Sequence, residues 1–412
     1  MKVVQRSLLV TKQDYKHQSV AFKKRTSTAY WEQSCKLNNW AGRLFNYFKF
    51  LDKTNAKVLE TLGDLGARNM TALAKSTNLP ITTVRFRLKK MMEDGRVLVS
   101  VNPNMSRLGL AKAFMISNAL LGHQDRLLET IKNTGYWTYI RRCYGKFDGY
   151  CAYFAFPAGY MKELENYVNK AKSLRAFSYS QFFWITNSRV VPLNFSWYNF
   201  ENKIWSFQWE QWINDALTVS SKLPDIIKEP DNYPIMVDKK DLLIIKELQK
   251  DESIEFKKLA KIVGIAPQSV GFRYHNHILP RNLIVDHAVD VCPFPVEISD
   301  RYLFIIDFGD EKSVAKFANA CDKKPFVVSY AKIIGKNSLI VNIYVSKTEF
   351  PNLVKSLNRL YIEGLVKEFF YVILDPTSYR RQTISYEYFE NGKWTYDSKE
   401  KIKKLKEIIR RH

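Results

Sequence analysis

Residues 81–94 read Ile-Thr-Thr-Val-Arg-Phe-Arg-Leu-Lys-Lys-Met-Met-Glu-Asp, and their periodicity decides what the chain is built from. At 100° per residue, Val84, Leu88 and Met91 share one narrow stripe, while Thr82, Phe86 and Lys89 fall opposite with Arg85 and Lys90 beside them. This predicts an amphipathic helix with a cationic outer face. Working back, Asp52 stands as an N-cap ahead of Val58, Leu59 and Leu62. A second apolar pattern through Leu73-Ala74 stops at Asn78, which tolerates the left-handed turn out of a helix. Three short helices with a tight turn before the last make a helix-turn-helix. Working forward, Gly95 closes the helix, and Val97-Leu98-Val99 with Val101-Asn102-Pro103 reads as the strand and turn of a wing.

The same text returns further on. Leu51-Asp52-Lys53 recurs as Val237-Asp238-Lys239, Leu73-Ala74-Lys75 as Leu259-Ala260-Lys261, and Val84-Arg85-Phe86-Arg87 as Val270-Gly271-Phe272-Arg273, all at a spacing of 186. Phe200-Glu201-Asn202 with Trp205 answers to Phe389-Glu390-Asn391 with Trp394 at 189. So long a period is a duplicated module with its own core, and the chain reads as two fused protomers. The second copy departs where a recognition helix matters most. Its third helix offers Gln268, Ser269, Arg273, His275, Asn276 and His277 with few cations, and Pro280-Arg281-Asn282 replaces the closing glycine. His275 and His277 are two apart and face away from each other, so they are not a metal pair.

With 46% hydrophobic and 14% aromatic residues, the 412-residue chain can bury several cores. Its formal charge of +23, from 64 Lys and Arg against 41 Asp and Glu, draws it to polyanions; the alternative is a cationic surface suited to a hot or salty cytoplasm. Five cysteines with no Cys-x-x-Cys spacing argue against a zinc ribbon and a disulfide framework. No signal-peptide pattern and no apolar run of ~18 residues is present, so a cytoplasmic, nucleoid-associated protein is expected, with no membrane partner. Residues 1–47 are a basic extension that either tracks a phosphate backbone or is a floppy leader or misplaced start.

Counting from Val84, the arginine at Arg87, the apolar Met91, then Gly95, Val97 and the run from Val101-Asn102-Pro103 to Leu108-Gly109-Leu110 resemble the Lrp/AsnC regulators, in a tandem, archaeal-like form. The resemblance covers about 48–190 and 235–376. It implies an α+β fold in which two winged helix-turn-helix domains alternate with two ferredoxin-like βαββαβ effector-type domains. In the first copy these elements fall at 114–119, 124–134, 136–144, 150–156, 160–173 and 176–186. In the second they fall at 303–308, 311–321, 326–334, 339–345, 349–360 and 366–374. The domains are then an N-terminal extension (1–47), winged helix-turn-helix 1 (48–110), effector-type domain 1 with an aromatic tail (111–205), a linker (206–235), a degenerate winged helix-turn-helix 2 (236–296), effector-type domain 2 with a hairpin tail (297–396) and a basic C-terminal helix (397–412). Asn391-Gly392 signals a type I′ hairpin in the second tail. Ile402, Leu405 and Ile409 give the last helix a face for docking on the body.

Function follows as a DNA-binding transcription regulator, a covalent pseudo-dimer that lays helix 81–94 in the major groove. Thr82 and Thr83 are short enough for bases and phosphates, and Arg85, Lys89 and Lys90 neutralise backbone charge. Phe86 serves as a thymine-methyl contact or, the preferred reading, a brace against the wing. Arg87 and Arg273 have a phosphate and an internal acid equally in reach. Gln268, Ser269, Arg273 and His275 are the corresponding contacts of the second copy. By resemblance, an amino-acid effector sits near Gly145 and Asp148, since Gly145-Lys146-Phe147-Asp148 resembles the family's Gly-x-Tyr-Asp turn; Gly335-Lys336-Asn337-Ser338 keeps the glycine and loses the acid. Double-stranded DNA is the expected partner, whole chains pair further as a homodimer in one variant, and no catalytic residue, metal or cofactor is expected. The alternatives are a chromatin-architectural DNA-binding protein, a scaffold with vestigial helix-turn-helix units, and a siroheme-decarboxylase-like enzyme, which resembles Lrp/AsnC proteins in both modules. Against the enzyme, Val97-Leu98-Val99-Ser100 lacks that branch's paired arginines and no histidine lies near Gly145.

Overall fold

The computed structural model describes residues 50–94, 97–291 and 298–411, so the N-terminal extension and Gly95 lie outside the described residues. Helix α1 (Lys53–Leu65) starts where Asp52 Oδ1 accepts the Asn55 amide at 2.7 Å. Helix α2 (Met70–Thr77) ends on Asn78 at φ 52°. Helix α3 (Ile81–Glu93) buries Val84, Leu88 and Met91, as the periodicity required. Then come β1 (Leu98–Pro103), β2 (Leu110–Asn118), α4 (Gln124–Asn133), β3 (Trp137–Gly145), β4 (Gly149–Pro157), α5 (Met161–Ser173) and β5 (Tyr179–Ile185). A tail follows, with β6 (Arg189–Val190), the hairpin β7 (Tyr198–Asn199) and β8 (Ile204–Trp205), and α6 (Trp209–Thr218).

The second copy repeats this order. Helix α7 (Lys239–Lys250) is capped by Asp238, α8 (Phe256–Val263) ends on Gly264 at φ 71°, and α9 (Pro267–Arg273) runs into a π-turn, Tyr274–Ile278. Asn282, at φ 49°, takes the left-handed position for which no glycine is present. Next are β9 (Ile284–Asp290), β10 (Ser299–Asp307), α10 (Glu311–Cys321), β11 (Val327–Lys332), β12 (Ser338–Ser346), α11 (Phe350–Ile362) and β13 (Glu368–Leu374). The tail comprises β14 (Arg380–Arg381), β15 (Phe389–Glu390), β16 (Lys393–Trp394) and α12 (Ser398–Arg411). Asn391 and Gly392 have φ of 49° and 77°, as a type I′ turn demands.

Each effector-type domain has the ferredoxin-like strand order, β5-β2-β4-β3 and β13-β10-β12-β11. The two sheets join edge to edge: β13 pairs with β3, and Ile185 bridges to Ile333 at the opposite seam. Between them Phe114, Ile116, Cys143, Phe147 and Cys151 of the first sheet meet Leu303, Ile305, Ile340, Val372 and Leu374 of the second. Alternate side chains of a strand face opposite ways, so one face of each sheet fills this shared core and the other packs under its own helices.

Two expectations about who pairs with whom are corrected. Segment 97–103 is not a strand and turn closed within its own copy: β1 is one strand running antiparallel to β9 of the other copy, Leu98 opposite Asp290 and Val101 opposite His287. Ribbon formation buries Val99 and Val101, which a wing would have left half-covered. Nor does the aromatic tail of 111–205 belong to effector-type domain 1. Beyond β5, β6 pairs with β11, and α6, in what the sequence marked as linker, packs on α10 and α11 of the second copy. Trp212 is fully buried there, its Nε1 donating to the Ala320 carbonyl at 3.1 Å, while Trp209 Nε1 donates to Glu349 at 2.7 Å. The second tail returns the exchange. Its β14 pairs with β3 and α12 lies on α4 and α5, where Leu405 is buried and Asn133 Nδ2 donates to the Lys401 carbonyl at 2.9 Å. Docking of the last helix is thus as expected, on the opposite copy.

Candidate nucleic-acid interface

Helix α3 touches α1 and α2 with its apolar stripe and leaves the rest to solvent. Thr82, Arg85, Lys89 and Lys90 are exposed, and Thr83 is half-buried. Lys89 is only loosely paired, 3.8 Å from Glu93. Phe86 is 64% exposed, so the ring lies in solvent beside Arg85, Lys89 and Lys90 and does not serve as the brace that was the preferred reading. Arg87 departs from the group. Its Nη1 lies 2.5 Å from Asp52 Oδ2 and 3.2 Å from Asn55 Oδ1, tying α3 to the N-terminus of α1. Arg273 does the same in the second copy, bonding Asp238 and Asp241 at 2.7 Å each. Of the two partners the sequence left open, the internal acid is the one present: in both arginines Nη1 is held by a carboxylate, which makes each a strut within its helix-turn-helix.

In the second copy Gln268, Ser269 and His275 are exposed, and Phe272 is 59% exposed. The face is polar and nearly uncharged. Cations that the sequence reading overlooked lie one helix earlier: Lys257, Lys258 and Lys261 are all exposed on α8. Their signal was readable, since Leu259 and Val263 fix the buried side of that helix and leave all three lysines outside.

The two helix-turn-helix units are held against each other by more than the β1–β9 ribbon. Arg68, between α1 and α2, donates from Nη1 to the carbonyls of Glu252 and Ile254 at 2.8 and 2.9 Å. Its guanidinium stands 4.1 Å from the Phe256 ring centre and 5.1 Å from that of Tyr274. The buried Glu252 carboxylate accepts the Ala67 amide at 3.3 Å and faces His287 Nδ1 at 3.0 Å. Burial disfavours the His287 cation, but the bond to Glu252 outweighs it and the imidazole is raised above its usual value.

Gly145 and Asp148 sit at the seam between the sheets, where Gly145, at φ 114°, lies opposite Val372. Asp148 is engaged by Arg142 Nη2 at 2.6 Å. A further groove of about 650 Å³ opens between α1 and the first tail, lined by Lys53, Lys57, Glu60, Asp64, Phe195 and Lys323. Glu60 accepts the Phe195 amide there at 2.7 Å, and burial raises its carboxyl. On the other half Tyr386 lies on Lys246, its ring centre 4.0 Å from Nζ.

Residues 237–276 match the AsnC-type helix-turn-helix domain, and residues 51–97 match a winged helix-turn-helix DNA-binding family. The chain therefore carries two helix-turn-helix domains of DNA-binding type. An uncharacterised HTH-type transcriptional regulator of Pyrococcus furiosus is 35% identical over 63 residues, 15% of this chain and 42% of that protein. Another from Pyrococcus horikoshii is 32% identical over 69 residues, 16% of this chain and 46% of that protein. The matches thus span less than half the length of these curated relatives. Among solved structures, the siroheme decarboxylase NirDL shares the architecture almost end to end, covering 86% of this chain and 98% of its own at a TM-score of 0.50 and 12% identity. Its complex with an iron-uroporphyrin III analogue gives 0.51 and 12%, over 87% and 99%. At that identity the likeness is one of fold. No described helix is long and apolar enough to cross a membrane.

Proposed function

We propose that the chain is a DNA-binding transcription regulator of Lrp/AsnC type acting as a covalent pseudo-dimer, with α3 laid in the major groove of double-stranded DNA. One observation carries this: Arg85, Phe86, Lys89 and Lys90 project from a helix whose fourth basic residue, Arg87, is spent on holding that helix in place. Thr82, Thr83, Gln268, Ser269 and His275 supply short polar groups for base edges. The site at the sheet seam, Gly145 and Asp148, is where an amino-acid effector acts in this reading, and the protein works in the cytoplasm, on the nucleoid. Binding measured by fluorescence anisotropy across a salt series tests it. Each neutralised phosphate contributes about −0.9 to the log-log slope, so Arg85→Ala with Lys89→Ala should flatten it by about 1.8. An unchanged slope refutes the site. A footprint of one discrete stretch separates a regulator from an architectural protein, which coats any duplex.

The NirDL likeness over nearly the whole chain favours a second reading, an enzyme acting on siroheme. Under the regulator reading, siroheme added to the protein keeps its absorption spectrum and releases no carbon dioxide. A spectral conversion with gas release would put catalysis in its place.

A further inference from the structure

We propose that α12 carries a second phosphate-backbone surface, along which a duplex held by the helix-turn-helix pair continues. This rests on the DNA-binding reading above and extends it to a face of the molecule that reading does not use. Helices α6 and α12 are counterparts: each ends its copy's exchanged tail, and each packs on the two helices of the opposite effector-type domain. Their charges are opposed. Helix α6 has no Lys or Arg and carries Glu210 and Asp215, while α12 has seven Lys and Arg against two Glu. Since α6 docks without a cation, docking does not explain those on α12.

Their arrangement does more than their number. Ile402, Leu405 and Ile409 face α4 and α5. Glu400, Lys404, Glu407 and Arg411 form a second stripe that compensates itself, with Lys404 Nζ 2.5 Å from Glu400. Lys399, Lys403, Lys406 and Arg410 form a third at the same four-three-four spacing. All four are exposed, and none makes an ion pair with a described residue. At ~1.5 Å per residue this ridge is about 16 Å long. A duplex bearing one charge per ~1.7 Å presents about ten phosphate charges over that length. An acidic protein partner fits less well, because protein interfaces centre on apolar and aromatic groups and this stripe has none.

The helix that carries the ridge lies near a helix-turn-helix unit. Lys401 Nζ on α12 lies 5.5 Å from the Tyr388 ring centre, and Tyr386, two residues away on the same turn, carries Lys246 of α7 at 4.0 Å. The N-terminal turn of α12 thus neighbours the helix-turn-helix unit whose own recognition face is nearly uncharged, through Lys401 on the side of the helix opposite the ridge.

The test uses the full chain and duplexes of about 20 and about 60 base pairs in a salt series. Replacing Lys399, Lys403, Lys406 and Arg410 by Gln should flatten the slope on the long duplex by about 2 to 4, at ~0.9 per contact, and leave the short one unchanged. Lys404→Gln with Arg411→Gln, on the self-compensated stripe, should move neither. A long-duplex slope the same for the fourfold variant and the wild type overturns the proposal while short-duplex binding keeps the regulator reading intact. Wild-type protein that binds neither duplex at low salt sinks both.

Discussion

Replacing Arg68 by Met keeps the packing of the aliphatic stem and removes the guanidinium that fastens one helix-turn-helix unit to the other. Two hydrogen bonds to the Glu252 and Ile254 carbonyls are lost, together with the cation–π contact to Phe256. A bond with a charged partner contributes roughly 1.5–3 kcal/mol, and a partly desolvated cation–π pair roughly 1–2. The two bonds share one nitrogen and do not add in full, so about 3–4 kcal/mol is expected. The loss is local, because the β1–β9 ribbon and the sheets remain, and a global melt would blur it. Hydrogen exchange reads it directly. The Ala67 amide bonds Glu252 across the junction and the Glu252 amide bonds Val99 at 2.8 Å. At tenfold per ~1.4 kcal/mol, peptides holding these amides should exchange about 100-fold faster or more in the variant. Protection within threefold of wild type would refute the claim that Arg68 clamps the pair.

Arg87→Ala should destabilise the first helix-turn-helix by only about 0.5–1 kcal/mol, because the pair with Asp52 is more than a third exposed, and should leave the salt slope of DNA binding alone; a flattened slope would make Arg87 a phosphate contact after all. His287 is charged more readily when folded, so its bond to Glu252 stabilises fully below pH ~6.5 and is lost as pH rises through the raised value. Exchange at the junction should therefore quicken between pH 6 and 8.5, after correction for intrinsic rates, and His287→Gln should abolish that trend; the same trend in both proteins contradicts the assignment. Trp212→Ala removes a fully buried ring and should cost about 3–5 kcal/mol, seen as faster exchange of α10 as α6 lifts away; undisturbed α10 amides would show that the exchanged tail is not what holds there.

The elements were legible because each rests on a local rule. Asp52 and Asp238 cap, Asn78 and Gly264 stop, and the stripe of Val84, Leu88 and Met91 turns α3 inward. Both βαββαβ units fall within a few residues of where the resemblance to Lrp/AsnC regulators put them. Partners were another matter. A pattern fixes which side of an element is buried without naming what buries it, and in a duplicated chain every contact within a copy has an equivalent between copies. Val99 and Val101 suit a wing as well as a ribbon with β9, and Trp209 and Trp212 suit their own domain as well as the opposite one. Arg87 illustrates a different limit. An acid one turn from the buried stripe is visible in the sequence, but the reach from α3 to Asp52 depends on the angle between two helices. Lys257, Lys258 and Lys261 needed only attention to α8 as well as to the helix after it.

The exchanged tails have a consequence for what the two halves are free to become. In a pair of identical subunits every substitution appears twice, and the bound site must carry the same dyad. Here each half clasps the other and both are encoded together, so neither can be replaced by a second copy of its sibling. A cationic α3 can then coexist with a neutral α9, and an acidic α6 with a basic α12, without any mixture of assemblies. On the proposed DNA-binding reading, such a molecule is released from palindromes: one end can grip and the other discriminate, on a stretch of duplex with a direction.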